Sequence, residues 1–172
     1  GTYITFGIKE RRDVLSWIEF HNRVHGMDNV FLGGMSMGAS TVLFAAGEDL
    51  PPNVRGITAD CGFSSPAEIL GHIIRKDFHL PPALVLPLME FWARTLGGFS
   101  FYECCTADTL ARTKTPILFI HGKADTFVPC HMTEDGYHAC ASDKEIHLIE
   151  GAGHGRSYLY DPDGLTRALA DF

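Results

Sequence analysis

Apolar positions along the chain switch repeatedly between helical and strand spacing. Over residues 9–24, Val14, Trp17, Ile18 and His21 fall on one helical face, and Gly26 follows as a stop. Residues 29–33 form a short apolar strand, and residues 37–46 a helix of small residues closed by Gly47 and the Pro51-Pro52 turn. A second strand covers 54–59. Composition changes over 64–105, where helical patterns at 66–78 and 83–96 are separated by Pro81-Pro82. Ile117, Leu118, Phe119 and Ile120 then run uninterrupted, marking 116–121 as a buried strand. A helix over 131–141, a strand over 145–149 and a helix over 165–172 complete the pattern. Continuous apolar strands separated by helices predict an α/β fold with a parallel sheet covered on both faces. Ligand sites in such sheets lie at the carboxyl ends of the strands.

The 172-residue length fits a single domain, 1–172. Fourteen Lys and Arg against 21 Asp and Glu give a net charge of −7 with no basic block, which argues against a nucleic-acid partner. The most apolar stretch, residues 80–92, carries three prolines and Glu90, so no transmembrane segment is expected. Gly1-Thr2-Tyr3-Ile4 has none of the marks of a signal peptide, and the absence of an initiator methionine suggests a longer reading frame. Five irregularly spaced cysteines fit reduced thiols and a cytoplasmic location rather than a disulfide framework. His131 and His138 sit seven apart with nothing to complete a ligand set, so no metal and no cofactor are expected.

Candidate chemistry concentrates at three strand ends. Gly34-Met35-Ser36-Met37-Gly38 matches G-x-S-x-G, and glycines two positions either side of the serine allow a sharp strand-to-helix turn. The pentapeptide alone is a weak pattern, but its place between an apolar strand and a helix strengthens it. Asp125 follows the 116–121 strand, and His154 stands in the glycine-flanked loop after 145–149. Ser, Asp and His each follow a separate strand, in the order of one hydrolase architecture. A serine hydroxyl needs a base to take its proton during attack, imidazole titrates near neutrality, and a carboxylate can orient it. Asp60, at the end of the second strand, is the competing acid. It ranks lower because Asp125 follows the strand directly before that of His154. His121 is expected to pack at a strand end.

The chain resembles the α/β-hydrolases, close to bacterial esterase and serine-peptidase-like members. The resemblance is carried by the Ser36 turn, Ala59-Asp60-Cys61-Gly62-Phe63, the Asp125 loop through Val128-Pro129, and Gly153-His154. It implies Ser36 as nucleophile, Asp125 as acid, His154 as base and the Met37 backbone N–H as an oxyanion donor. It also implies hydrolysis of small or medium carboxylic esters through an acyl-serine. The 64–105 insertion lies where these proteins carry a helical cap, whose apolar side chains, among them Ile69, Ile73, Phe78, Leu84, Leu88 and Trp92, line an acyl pocket or form the cap's own core.

About four strands are legible, against eight in the full fold that the resemblance implies. Strands expected before residue 1 include the loop that supplies a second oxyanion donor, and 1–6 reads as the loop leading into the first helix. Three expectations follow: weak turnover, an open edge at the 29–33 strand, and a homodimer through that strand or an edge covered by a rearranged amino-terminal segment. The alternative reading is a weakly active or non-catalytic half-hydrolase that binds ligands or a partner, or a peptidase or thioesterase on the same triad.

Overall fold

The computed structural model describes residues 3–172, so Gly1, Thr2 and the beginning of the loop expected over 1–6 lie outside it. Four strands, β1 (Val30–Met35), β2 (Val54–Asp60), β3 (Ile117–Gly122) and β4 (Lys144–Ile149), form one sheet in the order β1-β2-β3-β4. All three pairings are parallel. Each strand lies beside its predecessor, so every crossover carries helix: α2 (Met37–Ala45) between β1 and β2, and α6 (His131–Ala139) between β3 and β4. The long crossover from β2 to β3 holds α3 (Pro66–Asp77), α4 (Pro82–Trp92), a π-helical stretch (Ala93–Gly97) and α5 (Thr106–Leu110). Helix α1 (Glu10–His25) precedes the sheet, and α7 (Ser157–Tyr160) and α8 (Pro162–Asp171) follow it. Among the described residues, no helix is long and apolar enough to cross a membrane.

Strand β3 shows why the layers form. All six of its residues are buried. Because strand side chains alternate, Ile117 and Phe119 enter a core with Val42, Leu43, Ile57 and Leu110, while Leu118 and Ile120 enter another with Ile149 and Leu165. Burial of each such side chain contributes about 1.5–3 kcal/mol. A third cluster under the insertion joins Ile8, Phe44, Phe63, Ile69, Phe101 and Val128. Seven consecutive residues of α2, Ala39 to Ala45, are buried, which explains a sequence with no charged residue, in which the Ser40 and Thr41 hydroxyls bond backbone carbonyls.

Three differences from the sequence reading bear on the site. Strand β1 runs to Met35 instead of ending at Gly33, because Gly34 and Met35 pair with Ala59 and Asp60. Helix α8 starts at Pro162, where the Asp161 carboxylate accepts the Gly164 N–H and Pro162 opens the first turn. Helices α5 and α7, too short for a periodic pattern, were not expected. Among the described residues β1 has a strand neighbour on one side alone, and its Phe31 side chain is exposed.

Candidate active site

The register of the sheet brings the chemistry together. Met35 pairs with Asp60, Asp60 with Ile120, and Gly122 with Ile149, so the four strands end within a few residues of one level. Ser36 stands immediately after β1 with φ 55°, a left-handed conformation that costs a non-glycine residue about 1–3 kcal/mol. The turn is held because Ser36 N–H donates to the Asp60 carbonyl (2.8 Å) and the Ser36 carbonyl accepts from Ser40 N–H (3.1 Å). A Cβ at Gly34 would overlap the Gly38 carbonyl, so the turn cannot form with a larger residue there. Met37 opens α2 directly after the serine. Its N–H belongs to the helix's first turn, where amides have no intrahelical acceptor and the helix dipole favours negative charge.

Asp125 lies in the loop after β3 with its carboxylate wholly buried. Oδ1 accepts N–H bonds from Phe127 (2.8 Å) and Val128 (2.9 Å), which leaves Oδ2 for a side chain. That oxygen meets His154 Nδ1 at 2.7 Å, and His154 Nε2 meets Ser36 Oγ at 2.9 Å. A carboxylate only accepts, so the imidazole proton sits on Nδ1 and Nε2 is free to accept from the serine hydroxyl. The His154 loop is pinned to the acid loop by Ala124 N–H donating to the Ala152 carbonyl (3.0 Å). A Cβ at Gly122 would overlap that same carbonyl, so a glycine in β3 sets how closely the histidine loop approaches the acid. The Phe127 ring covers the His154 imidazole edge-on, with centroids 4.9 Å apart.

The competing acid is turned elsewhere. Asp60 Oδ1 accepts the Ser157 hydroxyl (2.8 Å), tying β2 to the start of α7 just beyond His154. Burial raises the Asp60 carboxyl above the usual range, with the Ser157 bond and the nearby His121 and His154 opposing and the Asp125 charge adding to the rise. Cys61 follows with φ 48° and a fully buried side chain. Its sulfur lies within 4.8 Å of donor-type atoms of Asp125 and His154, the one such three-residue grouping among the described residues. Burial, with the Asp60 and Asp125 charges, pushes the thiol up to about 12, so it stays protonated near neutral pH. His131 lies 3.6 Å from Glu68 on α3 and does not join His138 in any grouping of metal-binding type.

Two features of this neighbourhood had no signal in the sequence: the Ser157–Asp60 tie, and the contacts of His121 with side chains and backbone twelve and seven residues further on. His121 is fully buried at the end of β3, as expected, but it is also fully hydrogen-bonded.

The insertion divides into two parts. Ile69 is buried and Ile73 packs against the same cluster. Phe78 (65% exposed), Leu88 (62%), Trp92 (51%) and Leu84 lie open to solvent, and α4 has no buried residue. Helix α3 leans on the acid loop, where the Thr126 carbonyl accepts from Lys76 Nζ (2.5 Å) and lies 3.3 Å from His72 Nε2.

No family model matches the chain. It is 27% identical over 173 residues to the uncharacterized protein YqkD of Bacillus subtilis, an alignment covering all of this chain and 57% of that protein. Among solved structures, the Pyrococcus furiosus esterase Pf2001 superposes with a TM-score of 0.72 at 19% identity, over 99% of this chain and 63% of that one. The acylaminoacyl peptidase of Pyrococcus horikoshii gives 0.71 at 17%, over 96% and 28%. Acetyl xylan esterase 1 from Thermoanaerobacterium gives 0.64 at 18%, over 94% and 50%. The chain therefore spans under two thirds of the length of each of these relatives. Four parallel strands with their crossover helices, superposed on esterases and a peptidase over nearly the whole chain, make this an α/β-hydrolase fold, of which the 172 residues cover part.

Proposed function

We propose that this chain is a serine hydrolase that cleaves carboxylic esters through an acyl intermediate on Ser36, with residues 64–105 as a cap on a single domain. The observation that carries the reading is the unbroken line from Ser36 Oγ to His154 Nε2 (2.9 Å) and from His154 Nδ1 to Asp125 Oδ2 (2.7 Å). Ser36 Oγ attacks the ester carbonyl carbon while its proton passes to His154 Nε2. The imidazolium so formed faces the Asp125 carboxylate, which favours it electrostatically. Negative charge developing on the carbonyl oxygen is met by the Met37 N–H at the start of α2. Collapse of the tetrahedral species expels the alcohol, which takes the proton from His154. Water then repeats the sequence on the acyl-serine and releases the carboxylate.

The neighbours include esterases and an acylaminoacyl peptidase, and the ester reading follows the former. The same proton path also serves amide cleavage, so the assay compares both. A fluorophosphonate probe is expected to label the folded protein at Ser36, with no labelling of Ser36→Ala, and p-nitrophenyl acetate is expected to turn over faster than an N-acyl amino-acid p-nitroanilide. Folded protein that resists the probe refutes the hydrolase reading. Faster anilide cleavage refutes the ester assignment alone.

A further inference from the structure

We propose that His121 is a positioning residue that holds the Asp125 carboxylate for His154, by hydrogen-bonding the Val128 carbonyl of the acid loop and standing beside Oδ2. This rests on the serine-hydrolase reading. His121 is wholly buried at the end of β3, and every polar atom of its ring has a partner. Nε2 lies 3.0 Å from the Val128 carbonyl and 3.3 Å from Asp125 Oδ2. Both are acceptors, so Nε2 carries the proton. Nδ1 lies 2.7 Å from Thr133 Oγ1 and, bare in that tautomer, accepts the hydroxyl proton. The ring is held neutral because burial pushes its pKa below the ordinary value, against the opposing pull of the Val128 carbonyl and of Asp125 and Asp60.

The arrangement closes the acid loop from both ends. Val128 N–H holds Asp125 Oδ1, and the Val128 carbonyl is held by His121. The same imidazole N–H sits beside Oδ2, the oxygen that His154 uses. With Oδ1 engaged twice and Oδ2 flanked by two imidazoles, the carboxylate has one rotamer. A neutral His121 permits this, because it places a dipole beside Asp125 without a competing full charge.

The test compares His121→Leu, which removes the donor, with His121→Gln, whose amide nitrogen can stand near the position of Nε2. Rates are taken per site titrated by the fluorophosphonate, so that unfolded protein is not counted. The expected result is a kcat for His121→Leu reduced roughly 10- to 100-fold with KM unchanged, from loss of the bond that fixes the acid loop through the Val128 carbonyl and of the N–H beside Oδ2, and substantial recovery in His121→Gln. A residue with only a packing role gives wild-type kcat per titrated site in the leucine variant, which overturns the proposal.

If the leucine variant does not fold, or the wild-type protein proves to have no esterase activity, long-range ¹H–¹⁵N spectra of the wild-type imidazoles decide. The proposal requires His121 as a neutral ring protonated on Nε2 near pH 7. A ring protonated on Nδ1, or on both nitrogens, overturns it. Inactivity with the expected tautomer removes the hydrolase reading and leaves His121 as the group that holds Asp125.

Discussion

Replacing Asp125 by Asn exchanges one oxygen for an NH2 group and leaves the volume almost unchanged. The two backbone donors at Oδ1, Phe127 and Val128, keep the amide oxygen on their side, because the other orientation would face an NH2 to two N–H groups. The NH2 then occupies the place of Oδ2, 2.7 Å from His154 Nδ1. A donor there forces the imidazole into the other tautomer, with its proton on Nε2 and aimed at Ser36 Oγ. Such a ring cannot accept the serine proton. Locking a triad histidine in the wrong tautomer costs about 10⁴-fold in kcat, or roughly 5.4 kcal/mol at 1.36 per factor of ten. The assay is the second-order rate of fluorophosphonate labelling at Ser36, which needs no knowledge of the natural substrate, run beside p-nitrophenyl acetate turnover. Asp60→Asn serves as the control, since Asp60 bonds Ser157 and not His154. A labelling rate in Asp125→Asn within a few-fold of wild type, or a 10³-fold or greater loss in Asp60→Asn, refutes the assignment of the acid.

Asp60→Asn is also expected to raise the urea midpoint at pH 7. The folded carboxyl has a raised pKa, so the native state binds the proton more tightly and stability falls as pH rises from the unfolded value of 3.8 through the folded one; the gain therefore disappears below about pH 4, as urea titrations across pH will show. Burial pushes the Glu10 carboxyl up, but bonds from the Thr5 hydroxyl and N–H and from Gly7 N–H outweigh it and hold it below its usual range. Its stabilisation is full above pH 4.5 and is lost as pH falls through the folded value, so Glu10→Gln, at this partly solvated site, is expected to cost about 0.5–1 kcal/mol near neutrality and little in acid, by the same titrations. Gly122→Ala forces a methyl against the Ala152 carbonyl and is expected to cost about 1–3 kcal/mol and to slow labelling at Ser36 by parting the acid and histidine loops.

What was legible in the sequence follows from which physical signals are local. Strand β3 announced itself because burial on both faces demands an unbroken apolar run, Ile117 to Ile120. Ser36, Asp125 and His154 could be picked out because each stands at the end of an apolar strand, and a parallel sheet brings such ends to one level. Helices α5 and α7, of five and four residues, repeat no pattern and left no trace. The start of α8 was readable in Asp161-Pro162 but lay outside the apolar period. Contacts such as Thr133 with His121 and Ser157 with Asp60 depend on how loops return across the sheet, which no local pattern encodes. For α4 the sequence shows apolar content but not what covers it. Phe78, Leu88 and Trp92 were expected to line a pocket or a core, and each is more than half exposed.

The unequal anchoring of the insertion has a consequence for how the molecule opens. Helix α3 contributes Ile69, Leu70 and Ile74 to the interior and grips the Thr126 carbonyl, whereas α4 reaches the interior through the partly buried Leu86 and Met89, and its Pro87 deletes one rung of the helical ladder. Amide protons along α4 and the π-helical stretch therefore exchange with solvent through small local excursions, while those of β3 wait for global unfolding. A protease admitted by such an excursion finds Phe91, Trp92 and Leu96 in its path, and none of them supports the strand ends that carry Ser36, Asp125 and His154. A nick there leaves two pieces held by α3 on one side and Phe99 and Phe101 on the other, both of which belong to the core beneath the insertion.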